Sequence, residues 1–301
     1  MIGQLFEPGF FTNGAVHTAL IVGAVVAVIS ACVGVFTVIR SQAFAGHSLS
    51  DLGTTGGSAS FLAGASNPLW GFVIAALAGA GLIELLGARR RSDRDLATGI
   101  VLGAALGLSA LFLYLDTSHS STTGVSTTIL FGSLFVLDPS MIPAAVALTV
   151  VALALLAGSY RMLLLSSLSP ELAAARGIRV RLIGALYLVA LGLAVALASL
   201  TIGALLSTAL LIGPPATALR LSKQPAVAIL AAALIGVLAT WLGILLAYDS
   251  YNWPPLGHGW PVSFLIVALI FSFYLLTELP TRLLRTLRPN RQPLANAGPE
   301  P

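Results

Sequence analysis

Long apolar runs alternate with short polar breaks along the whole chain. Runs of roughly 20 apolar residues match the thickness of a bilayer core. They fall near 16–39, 69–87, 96–115, 140–160, 182–200, 202–219, 225–247 and 261–279. A further segment of that length, 45–66, sits between two strongly apolar ones but is itself polar. Counted together they predict an all-α membrane protein, a polytopic bundle of about nine transmembrane helices. The sixth and seventh runs almost fuse around Leu200-Thr201-Ile202-Gly203. The stretch 124–137 is too short to cross and fits a re-entrant or surface helix.

The polar segment carries two patterns at helical spacing. Small residues recur at Gly46, Ser50, Gly53, Gly57, Ser60 and Gly64. Spacings of three and four put them on one face, where another helix backbone can approach closely. A second stripe holds His47, Asp51, Thr54 and Ser58. His47 and Asp51 are four apart and share a helix face. A charged Asp at the centre of a membrane helix costs roughly 2.5–3.5 kcal/mol on insertion scales, so such residues usually face an interior path. Two readings are open on the residues alone. Either the pair merely satisfies two buried polar groups by a mutual hydrogen bond or by capping near the cytoplasmic helix end, or it contacts a metal ion, for which imidazole and carboxylate are suitable donors.

Composition agrees with the pattern. Of 301 residues, 57% are hydrophobic and 9% charged, against about 25% charged in soluble domains. The lone Cys32 excludes an intrachain disulfide and a cysteine-based metal site. The net charge of +4 is not a nucleic-acid signal, because the basic residues gather at helix ends. Nine alternating spans place all 15 Lys and Arg on one side. By the positive-inside rule that side, with the C-terminus, is cytoplasmic. This predicts a multi-pass protein of the cell membrane: a transmembrane domain over 1–287 and a disordered tail over 288–301. The N-terminal residues lack the basic region of a signal peptide, so the first run is expected to remain as a span.

Several loops carry candidate chemistry. On the external side, Asp116, His119, Asp249 and His258 are either solvated loop residues or groups that capture an ion at the mouth. On the cytoplasmic side, Ser169 can cap a short helix, with Pro170 at its first position and Glu171 in its first turn. Gly177 can end it. Arg176, Arg179 and Arg181 suit lipid phosphates, and Glu84 suits a helix-end ion pair with a nearby Arg. The seventh run contains Gly213, Pro214 and Pro215, which predict a break or kink there. Gly53 and Gly57 are the matching pliant points of the polar segment.

The blocks Gly46-His47-Ser48-Leu49-Ser50-Asp51, Phe61-Leu62-Ala63-Gly64, Leu130-Phe131-Gly132, Pro170-Glu171-Leu172 through Gly177-Ile178, and Gly203 through Ala218 occur in order. Together they resemble the permease subunits of bacterial ATP-driven importers for zinc, manganese or iron. In that family the second span reads Gly-Asp-Ala-Leu-Ser-His-Ala. Here the acid and the imidazole are exchanged, His at 47 and Asp at 51, and Thr55 replaces a Pro. The resemblance implies a homodimer that passes a divalent transition-metal ion between alternating-access states, past His47 and Asp51. It implies a cytoplasmic ABC ATPase docking on the coupling segment 168–180, through Ser169, Pro170, Glu171, Ala174, Arg176 and Gly177. It also implies an extracytoplasmic metal-binding protein on the external loops. No catalytic residue and no permanently bound cofactor is expected. The sequence lacks Gly-x-x-x-x-Gly-Lys-Ser/Thr, so ATP hydrolysis falls to the partner. The alternatives are an ABC permease for an organic metal chelate and an ATP-independent channel or carrier.

Overall fold

A computed structural model of the chain describes residues 9–65, 67–86, 91–119, 124–132, 134–253 and 259–286. The expected tail over 288–301 and the candidate His258 lie outside the described residues. Eleven α-helices occur among those described: α1 Gly14–Ile39, α2 Ala43–Leu62, α3 Leu69–Leu86, α4 Arg91–His119, α5 Gly124–Phe131, α6 Ile142–Leu168, α7 Pro170–Ala175, α8 Val180–Ile202, α9 Ala204–Leu221, α10 Pro225–Asp249 and α11 Val262–Thr286. Eight of them are long and apolar enough to cross a membrane. The polar α2, 20 residues long, is the ninth, so each expected span corresponds to one helix.

Apolar composition makes these helices, and polar residues fix several of their ends. Asn13 caps α1 by accepting the Ala15 N–H (2.9 Å). Ser169 caps α7 by accepting the Leu172 N–H (3.4 Å), and Glu171 stands in its first turn. Gly177, at φ +76°, closes α7: its N–H donates to Ala174 O and that of Ile178 to Ala173 O, the paired bonds of a Schellman ending. The outer helix faces stay apolar. Leu230, Leu234, Leu238 and Trp241 form one exposed row on α10, as a surface solvated by lipid requires.

The polar α2 lies inside the bundle, in contact with α3, α4, α8 and α9. Its glycines make this possible. A Cβ on Gly56 would overlap Gly71 of α3, and one on Gly57 would overlap the Phe72 ring. Gly53 has room, with Phe72 at 3.5 Å from a built Cβ.

The expected discontinuity of the seventh span lies at its first residue, not at the prolines. α8 ends and α9 begins at Gly203 (φ +95°, ψ 154°), a backbone conformation essentially reserved for glycine. α9 then runs as helix through Pro214 and Pro215. Pro215 cannot bond Leu211 O, and that carbonyl instead faces Gly34 of α1, where a Cβ would overlap it. The short α5 packs against α9, α4, α8 and α2. Gly132, at φ +82°, ends it and meets Gly203 backbone to backbone, each blocking a Cβ on the other. The 124–137 stretch is thus a short inserted helix followed by inward-facing Leu134 and Leu137.

Candidate metal-ion path

The site is built on the polar face of α2. Asp51 is buried, whereas the His47 side chain is 42% exposed, and Asp51 Oδ2 lies 3.7 Å from His47 Nε2. That is too long for a hydrogen bond. Two donors on one metal ion at 2.0–2.2 Å stand roughly 3.0–3.5 Å apart. The observed gap of 3.7 Å lies within ion-pair range without a direct hydrogen bond. The other imidazole nitrogen, Nδ1, lies 3.3 Å from Thr208 Oγ1 of α9. A ligating histidine is commonly held by such a contact at its second nitrogen.

Hydroxyls elsewhere on α2 dock the helix on its neighbours. Ser50 Oγ is 2.8 Å from Ser199 Oγ and 2.7 Å from Ser207 Oγ, and it donates to Ala204 O (3.2 Å) just past the α8–α9 break. On the opposite flank Thr55 Oγ1 pairs with Ser109 Oγ (2.7 Å) of α4 and reaches Ala105 O (2.9 Å). Ser48 donates to Thr98 O (3.4 Å). Each buried hydroxyl so held removes a desolvation cost of about 1–3 kcal/mol. The polarity that sets α2 apart from lipid-facing helices is thereby matched by partners on α4, α8 and α9.

Two of the external candidates lie inside the fold. Asp116 belongs to α4 and is 3% exposed, and its Oδ2 has no hydrogen-bond partner among the described residues. Asp249 ends α10 and is also buried. His119 ends α4. Glu84 pairs with Arg181 Nε of α8, at 3.4 Å; Arg89, the nearby Arg expected at its own helix end, lies outside the described residues. Gly213 is packed under Ile270 of α11. In the coupling segment Ala173 is buried, whereas Glu171, Leu172, Ala174, Arg176 and Gly177 are exposed.

No group of three or more His, Cys, Asp and Glu side chains converges among the described residues. A cavity of about 310 Å3 opens at the far end of α2 from His47, between Phe61, Phe72, Ile129, Leu137, Met141 and Asp138. Neither His47 nor Asp51 lines it. The Asp138 carboxylate accepts the Ser140 N–H (2.8 Å), and that bond holds its carboxyl below the usual carboxylate range. Reasoning from sequence missed Thr208, Ser50, Thr55 and Ser109 as partners of the site. The hydroxyl spacing on α2 was visible, but its partners lie 50 to 160 residues away in the chain.

A bundle of apolar helices packed around one polar helix defines a polytopic membrane protein. The chain belongs to the ABC 3 transport family, which matches residues 13–277, and so to the metal-ion ABC permeases. It is similar to the manganese transport system membrane protein MntC of Listeria innocua, 28% identical over 247 residues, 81% of this chain and 86% of that one. It is also similar to the manganese import system permease protein ScaB of Streptococcus gordonii, 28% identical over 249 residues, 83% and 87% of the two chains. Among solved structures it resembles PsaBC from Streptococcus pneumoniae in complex with Fab, with a TM-score of 0.79 and 25% identity, covering 96% of this chain and 100% of that one.

Proposed function

We propose that this chain is the membrane permease of an ATP-driven importer for a divalent transition-metal ion, and that the ion passes between His47 and Asp51. The observation that carries the reading is the 3.7 Å pair on the one polar helix inside the bundle. Manganese is the first candidate, because relatives matched over most of their length are named manganese permeases. Zinc and iron suit the same donor set.

One chain offers two ligands, fewer than the four of a structural zinc site. A two-fold homodimer supplies the pair twice, giving His2Asp2 about an axis, in keeping with the usual symmetry of oligomers. Weak or transient coordination is appropriate, since a transported ion must leave. Asp116, buried and without a partner on Oδ2 among the described residues, is the external candidate best suited to meet an ion when the outer end opens. The basic end, with the C-terminus, faces the cytoplasm.

A separate ABC ATPase docks on the exposed face of 168–180. An extracytoplasmic metal-binding protein delivers the ion to the other end. ATP-driven closure of the ATPase pair pushes the coupling segment, and α2 and α9 re-tilt at Gly53, Gly57, Gly203 and the Pro214–Pro215 region. The test is uptake into vesicles that hold the permease with or without its ATPase. ATP-dependent entry of manganese, zinc or iron only when the ATPase is present supports the reading. Equal entry without the ATPase makes the chain an ATP-independent channel or carrier.

A further inference from the structure

We infer that Arg40 is a positioning residue that ties the coupling segment to the helix bearing His47 and Asp51. The inference rests on the permease reading above. Arg40 follows α1, and its N–H donates to Phe36 O (2.9 Å). Ser41 then adopts φ 55°, and Gln42 N–H returns to Thr37 O (2.9 Å). Only three residues, 40–42, therefore join α1 to α2, and His47 lies within the second turn of α2.

From this turn the Arg40 side chain reaches three elements. Nη1 donates to Ser166 Oγ (3.3 Å) and Ser167 Oγ (3.2 Å) in the last turn of α6, a few residues before Pro170. Both serines donate in turn to Leu163 O, which aims their lone pairs at the guanidinium. Nε donates to Gln42 Oε1 (3.3 Å) at the start of α2. The guanidinium carbon stands 5.1 Å from the ring centre of Tyr187 on α8, within cation–π range. The Tyr187 hydroxyl is fixed to Thr37 Oγ1 of α1 (2.8 Å).

The outgoing stem of the coupling segment has its own tie. Arg181, at the start of α8, pairs with Glu84 near the end of α3, and α3 meets α2 through Gly71 and Gly56. Both stems thus lead to α2: the incoming stem directly through Arg40, the outgoing stem through α3. The Arg40 bonds to the serines are longer than the 2.9–3.0 Å usual for N–H···O.

The experiment measures metal ions moved per ATP hydrolysed in vesicles containing the permease and its ATPase, with manganese as the probe. Arg40→Ala is expected to assemble with the ATPase and hydrolyse ATP while ions per ATP fall about fivefold, within the range residues on a coupling route give. Arg40→Lys keeps the charge but loses the separate Nε donor to Gln42 and the planar group over Tyr187, and is expected to recover part of the ratio. Ser166→Ala with Ser167→Ala leaves Arg40 over Tyr187 and should reproduce the loss, and it decides the matter where Arg40→Ala does not assemble. A ratio unchanged in the serine variant, or uptake and hydrolysis falling together in parallel with assembly, overturns the tie. Wild-type vesicles that move no metal overturn the permease reading itself, and the tie with it.

Discussion

His47 and Asp51 share one helix face, yet they live in different surroundings. The carboxylate is buried, and the imidazole is half-exposed with one nitrogen against Thr208. In the family motif these positions carry the acid first and the imidazole second. The exchange therefore places the imidazole one helical turn, about 6 Å, toward the basic end. Thr208 holds the ring so that Nε2 faces Asp51, and its effect is testable apart from that of the ligands. Thr208→Val keeps the shape and removes the oxygen. It is expected to raise the manganese concentration for half-maximal uptake roughly tenfold, the lower end for losing an outer-shell partner of a metal ligand, with the maximal rate little changed. An unchanged half-saturation value shows that the hydroxyl does not orient the ring. The pair itself was legible in the sequence, because four-residue spacing and polarity inside an apolar chain are local signals. Thr208 and Arg40 were not, because their partners are brought together only by the fold, across 161 and 126 residues.

At the scale of elements, the helices follow from apolar run length, and α2 follows from small-residue spacing. Two features required the packing. Proline chemistry alone predicts a break at Pro214–Pro215, but the carbonyl freed by Pro215 is accommodated against Gly34, so the helix continues. The break falls at Gly203, where the conformation excludes a Cβ and where Gly132 of the α5 ending presses against it. Gly203→Ala is expected to cost about 1–3 kcal/mol for the backbone conformation alone, with overlap against Leu130 and Phe131 adding to it. It should lower the unfolding midpoint of the purified permease. Gly103→Ala on α4, where a Cβ meets nothing within 4 Å, should leave that midpoint unchanged. Equal midpoints for the two variants argue that α5 and the α8–α9 junction are not held as described.

At the scale of the whole molecule, the polar contacts divide between two places. Hydroxyls and the His47–Asp51 pair lie within the bundle around α2. The guanidinium contacts of Arg40, Arg181 and Arg220 gather at the basic end. Arg220 binds Glu278 and Tyr274 of α11 there, so α9 is fastened at its last turn, and the Gly203 junction lies at its other end. This arrangement gives the bundle one end fastened by guanidinium contacts and a jointed end at Gly203. Charge sidedness and motif order made that division readable in outline. Which helices each arginine joins was not, since basic residues at helix ends all look alike in one dimension. The account stands most directly on uptake by permease–ATPase vesicles carrying His47→Ala with Asp51→Ala at wild-type expression and wild-type ATP hydrolysis. The predicted result is loss of ATP-driven manganese, zinc or iron entry by about a hundredfold, the scale of removing a preformed charge-bearing contact from a buried path. Entry within a factor of about two of wild type, the size of context effects on one ordinary contact, would contradict it.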